Sequence, residues 1–146
     1  MISGKTPFIG ASDSNNGVTA FISNDNASRD RNILGVNYNG SVVETFYHPY
    51  ECLFSDDVKR FSLKNYDGNK YIYLFLKSVI IKQKEKYQYG YKFNEARMLR
   101  QKITLPVTDN GEPDYKYMEQ TVKQTEVKLL TRYIAYLDNR ITTSHK

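Results

Sequence analysis

The sequence has no tryptophan, one cysteine, two histidines and four prolines among its 146 residues. A lone Cys52 excludes an internal disulfide framework and a zinc cluster built on cysteines. His48 and His145 stand too far apart for a histidine-rich metal motif. Long apolar runs are missing as well. The longest, Tyr71–Ile81, is broken by Lys77 and Ser78, whereas a membrane span needs roughly 20 apolar residues. The opening MISGKTPF lacks the basic-then-apolar order of a secretory signal. GxGxxG, Walker A and GxSxG motifs are absent too. These absences predict a soluble, cytoplasmic chain that needs no cofactor.

What is present suffices for a core: 40% of residues are hydrophobic and 14% aromatic, with 13 tyrosines. The net charge of +5 is unevenly distributed. Residues 1–69 carry six Lys/Arg against eight Asp/Glu, and residues 103–146 carry six of each. Residues 70–102 hold nine basic residues against Glu85 and Glu95, a balance of +7. Positive charge gathered in one tyrosine-bearing segment suits a phosphate backbone; a merely solvated basic face is the plainer reading.

The chain predicts an α+β fold. Residues 1–63 alternate β-branched and aromatic runs with turn chemistry, giving strands at Thr6–Ile9, Val18–Ser23, Ile33–Tyr38, Val42–Tyr47 and Val58–Leu63. Asn39-Gly40 signals a two-residue hairpin. The dense apolar stretch Lys70–Glu85 reads as a largely buried helix, and Lys102–Pro106 (KITLP) as a last short strand. After the turn Thr108–Gly111, Pro113 suits the first turn of a helix that nothing breaks until about Thr143.

That helix carries two apolar stripes at 3-4-3-4 spacing. Tyr115, Met118, Val122, Thr125 and Leu129 are expected to pack on the globular body. Val127, Leu130, Ile134, Leu137 and Ile141 form a shifted, coiled-coil-type seam expected to reach beyond it and meet a partner helix. The organisation so predicted is a small mixed β-sheet domain with packed helices over residues 1–107, followed by a long spacer or dimerisation helix over 112–143.

Catalytic patterns fare poorly. Pro113-Asp114 followed by Glu126-Val127-Lys128 mimics the PD…ExK arrangement of metal-dependent nucleases. Twelve residues apart on one helix, the two carboxylates would stand about 18 Å apart and share no metal. His48 is followed by Pro49, and Cys52 has no activating neighbour, so Cys52 reads as a packed thiol. The Asn-Pro-Pro-Tyr and Asp-Pro-Pro-Tyr loops of adenine methyltransferases are also missing. The chain is expected to be non-catalytic, with no metal site.

The best binding feature is Tyr87-Gln88-Tyr89-Gly90-Tyr91-Lys92, where rings alternate with hydrogen-bonding side chains inside the basic segment. Amides can pair with adenine, while Lys and Arg read guanine or grip phosphate. Tyrosines on one face of a strand are equally ordinary sheet packing.

The order of several motifs then resembles one family. Pro7-Phe8-Ile9-Gly10-Ala11-Ser12 with Asn15-Asn16-Gly17-Val18 resembles the opening of target recognition domains in specificity subunits of type I restriction–modification systems and related BcgI-type enzymes. Gly40-Ser41-Val42 with Phe46-Tyr47, then Tyr89-Gly90-Tyr91 with Lys102–Val107, resemble its later motifs. Asn110–Tyr115 with Met118 and Glu119 resembles the start of its connecting helix. A full subunit of that family has two recognition domains and two long helices, and the resemblance covers one of each.

The resemblance implies a non-catalytic module that reads double-stranded DNA for a methyltransferase subunit, with a restriction subunit as a further partner and a homodimer through the C-terminal helix as another assembly. The expected DNA contacts are Ser12, Asn15, Asn16, Tyr38 and Asn39 in the loops, and Lys86, Gln88, Tyr89, Lys92, Asn94 and Arg97 in the basic segment. The expected partner-helix interface is Val127, Leu130, Ile134, Leu137 and Ile141. The competing reading is a truncated specificity homologue that docks on the methyltransferase without reading DNA.

Overall fold

Strand β3 (Ile33–Asn37) buries all five of its residues, as a strand covered on both faces does. In the computed structural model, which describes residues 1–87 and 95–144, β3 is the centre of one of two three-stranded sheets. It pairs antiparallel with β4 (Thr45–His48) and with β6 (Val58–Phe61). The second sheet is centred on β1 (Ser3–Ile9), antiparallel to β2 (Val18–Ile22) and parallel to β5 (Leu53–Phe54). The chain is therefore mixed α+β, as its patterning predicts, with two small sheets where one is expected. Ile9, Ile33, Cys52, Phe54 and Val58 form a buried cluster that joins both sheets.

Helix α1 (Lys70–Ile81) starts where Asn69 Oδ1 accepts from the backbone N–H groups of Tyr71 (3.0 Å) and Ile72 (3.2 Å). This is the N-cap chemistry that satisfies otherwise orphaned donors. Its Ile72, Tyr73 and Leu76 are buried, and the Tyr73 ring stacks on Tyr47 of β4 at 5.2 Å. The helix is shorter and less buried than its apolar density suggests. It stops at Ile81, and Gln83 N–H turns back to the Ile80 carbonyl. A 3₁₀ turn (Lys84–Tyr87) and helix α2 (Glu95–Arg100) follow.

Two other local expectations are corrected. Lys102–Pro106 forms no strand, because no partner among the described residues pairs with it; the ladder contact beside it there is a single bridge between Val107 and Pro113. Asn39-Gly40 does not make a two-residue hairpin. It lies within a seven-residue loop, 38–44, closed by Asn37 N–H to Glu44 O (2.9 Å) and Val43 N–H to Asn37 O (2.8 Å). Asn37 and Val43 are buried, which anchors that wider loop.

The chain divides into two compact units, Met1–Thr104 and Leu105–Lys146. The second contains helix α3 (Tyr115–Ser144), whose 30 residues span about 45 Å. Asp114 rather than Pro113 opens it: Asp114 Oδ1 accepts from Tyr117 N–H at 2.9 Å. The first stripe is covered for less of its length than expected. Met118 is buried and Tyr115 and Val122 are half-buried, but Thr125 and Leu129 are exposed. From Val127 to Thr142 every residue is exposed.

Candidate nucleic-acid interface

Two loops and the basic segment meet in the first unit. The first loop, 10–17, ends in the 3₁₀ turn Asn15–Gly17, where Asn15 (φ 51°), Asn16 (φ 53°) and Gly17 (φ 74°) are all left-handed. Asn tolerates that conformation better than most residues, which explains the Asn-Asn-Gly triplet locally. The second loop, 38–44, lies directly beside it. Asn37 Nδ2 donates to the Ser12 carbonyl at 2.9 Å. Gly40 (φ 72°) approaches so closely that a Cβ there would meet Ala11 O at 3.1 Å. Only glycine satisfies both the angle and the gap.

The basic segment leans on this second loop. Met98 of α2 is buried with Val36 and Val43, and Tyr38, Ile80 and Tyr87 pack around them. Lys84 pairs with Glu44 and so ties the 3₁₀ turn to the loop end. Beyond the loop, Asn39 Nδ2 donates to Asp57 Oδ1 (2.8 Å), and Lys59 Nζ sits 4.9 Å from the centre of the Tyr38 ring.

The expected contact residues are thus placed unequally. Ser12, Asn15, Asn16, Tyr38 and Asn39 occupy the two adjoining loops, and Lys86 and Arg97 occupy the elements packed beside the second. Asn15 is exposed. Asn16 is engaged internally, its Nδ2 donating to Tyr47 O (3.3 Å) and Tyr50 Oη (2.8 Å). Gln88, Tyr89, Lys92 and Asn94 lie outside the described residues. The sequence reading passes over Lys59, Arg100 and Lys102, although the last two contribute to the +7 balance; spacing alone did not separate them from other cations.

The catalytic patterns weighed in the sequence are not assembled among the described residues. No three His, Cys, Asp or Glu side chains gather as a metal site. Asp114 is an N-cap, and Glu126 stands 12 residues further along the same helix. The Cys52 thiol is fully buried and pushed up to about 12 by that burial, with Asp30 and Glu51 adding to it. It stays protonated and unreactive. No helix among the described residues is long and apolar enough to cross a membrane.

The family model for the type I restriction modification DNA specificity domain matches residues 2–134. The chain belongs to that family. It is also 61% identical over 132 residues to the specificity subunit S.BcgI of a type II restriction enzyme from Heyndrickxia coagulans. That alignment covers 90% of this chain and 39% of the relative, so the specificity domain spans well under half the length of the protein it matches. No solved structure matches it significantly.

Proposed function

We propose that this specificity domain is a non-catalytic module that reads a DNA sequence and directs a methyltransferase subunit to it, alone or with a restriction subunit. The observation that carries this is the juxtaposition of two adjoining polar loops, the second of them packed against the described part of the basic segment, within one unit. Loops supply base-edge donors and acceptors, while the cations supply register and affinity through phosphates. The assembly reading adds a homodimer formed through α3.

Binding to a random-sequence duplex, followed by anisotropy between 50 and 200 mM salt, tests the proposal. A DNA reader loses affinity steeply as salt rises. A module that only docks on the methyltransferase shows no measurable affinity at any salt. The triple variant Lys86→Ala/Lys92→Ala/Arg97→Ala should weaken binding to all duplexes and flatten the salt slope by up to about 3. Unchanged affinity in the folded triple variant would place the DNA surface elsewhere.

The two asparagines should behave differently. Asn15→Gly keeps the left-handed conformation while deleting an exposed amide, so it should alter sequence preference and leave stability nearly unchanged. Asn16→Gly deletes the hydrogen bonds to Tyr47 and Tyr50 and should cost about 1–2 kcal/mol of stability. Selection of bound sequences from a random pool, beside urea unfolding, measures both. An Asn15→Gly protein with unchanged preference would reduce that residue to a turn former.

A further inference from the structure

Helix α2, the two residues after it and the 3₁₀ turn before it line an open surface cleft of about 370 Å³, formed by Lys86, Tyr87, Arg97, Arg100, Gln101 and Lys102. Four of these six are cations, and none is a carboxylate. We infer that this cleft is a phosphodiester grip, with Arg100 and Lys102 as its principal donors, and that it holds the DNA backbone without reading bases. The inference rests on the DNA-binding function proposed above and assigns part of that affinity to one place.

The hydrogen bonding inside the cleft supports the assignment. Tyr87 Oη donates to Gln101 Oε1, and Gln101 Nε2 donates to Gln83 Oε1 at 3.2 Å and to the Lys102 carbonyl. Lys86 Nζ donates to the same Gln83 oxygen at 2.6 Å. The two amides are thus committed to one another and to their neighbours, which leaves no free amide to pair with a base edge. Arg100 uses only its Nε internally, on the Ala96 carbonyl at 3.0 Å. Its terminal guanidinium nitrogens, and Lys102 Nζ, have no partner among the described residues. Both side chains are exposed. The cleft therefore offers positive donors above a neutral, already satisfied floor, and a phosphate oxygen is the acceptor such donors suit.

The test compares Arg100→Gln/Lys102→Gln with Lys5→Gln/Lys64→Gln, a pair of exposed residues outside the basic segment that removes the same charge. On a random 20-base-pair duplex, the cleft variant should lose roughly tenfold or more in affinity for each cation, and its salt slope should flatten by about 2. Sequence preference should stay as in the wild type. The control pair should lose much less. Equal losses in the two variants, unchanged affinity in the cleft variant, or an altered preference would each overturn the inference. Titration with inorganic phosphate, followed by NMR at Arg100 and Lys102, separates it from the wider reading. Saturable shifts in a protein that binds no duplex would keep an anion site and sink DNA reading; absence of both would sink both.

Discussion

Lowering the pH from 7 to 5 should remove about 2 kcal/mol of stability, through His48 alone. Its side chain is fully buried, with Nε2 lacking a hydrogen-bond partner among the described residues and Nδ1 3.4 Å from Tyr50 Oη. The ring sits edge-on to Phe54, and a Cβ on Gly35 would meet Nε2 at 3.0 Å, so the imidazole fills the space that this glycine leaves on β3. Burial, with the nearby charge of Lys77, lowers its pKa from the ordinary 6.5 to about 4. Between those values the unfolded chain binds a proton that the folded chain refuses, so stability rises with pH across that window. The contribution is fully present above 6.5, falls by about 2 kcal/mol by pH 5 and about 3 by pH 4, and levels off below. Urea unfolding at pH 7, 6 and 5 should show this slope in the wild type and a flatter one in His48→Leu. Parallel slopes in the two proteins, or a His48 NMR titration near 6.5, would contradict the burial argument.

His48 also shows why some of this molecule was legible in its sequence and some was not. Helix α3 is written locally, because 30 residues without a breaker and an acidic cap at Asp114 need no distant partner to be recognised. Family membership was legible for a similar reason, since its motifs keep their order along the chain. What depends on distant residues was not. The KITLP stretch has strand composition, yet composition cannot supply a sheet edge to pair with. Asn39-Gly40 has the dipeptide of a tight turn, but the burial of Asn37 and Val43 and the approach of Gly40 to Ala11 hold a wider loop open. Helix α1 ends early where Gln83 turns toward Gln101, 18 residues away. The candidate interface divides in the same way. Its loops announce themselves by asparagine and glycine, whereas the commitment of Asn16 to Tyr47 and Tyr50, more than 30 residues downstream, appears only in three dimensions.

The seam on α3 gives the other large expected effect: the wild type should self-associate at micromolar to about 100 μM concentration, and Leu130→Glu/Leu137→Glu should abolish it. Val127, Leu130, Ile134, Leu137 and Ile141 are 63, 55, 57, 38 and 59% exposed, an uncovered apolar stripe along the second half of the helix. Leu129, Tyr133 and Tyr136, also exposed, continue the first stripe on a neighbouring face rather than the seam itself. Five such side chains from each of two copies, each about half-uncovered, regain roughly 1 kcal/mol apiece on pairing, or about 10 kcal/mol gross. Losses of motional freedom on association offset 4 kcal/mol or more of that, which leaves a modest net affinity. Antiparallel pairing would bring together two recognition units and two long helices from two chains, each spanning 39% of the relative's length. Such a dimer would read a palindromic target interrupted by a spacer, because a two-fold protein presents the same loops to both half-sites. A glutamate at each of these two seam positions puts four carboxylates into the pair, which burial does not tolerate. Sedimentation of both proteins at 10 and 100 μM decides the matter. A wild type that stays monomeric at 100 μM ends the homodimer reading and leaves the stripe to its own domain or to another subunit.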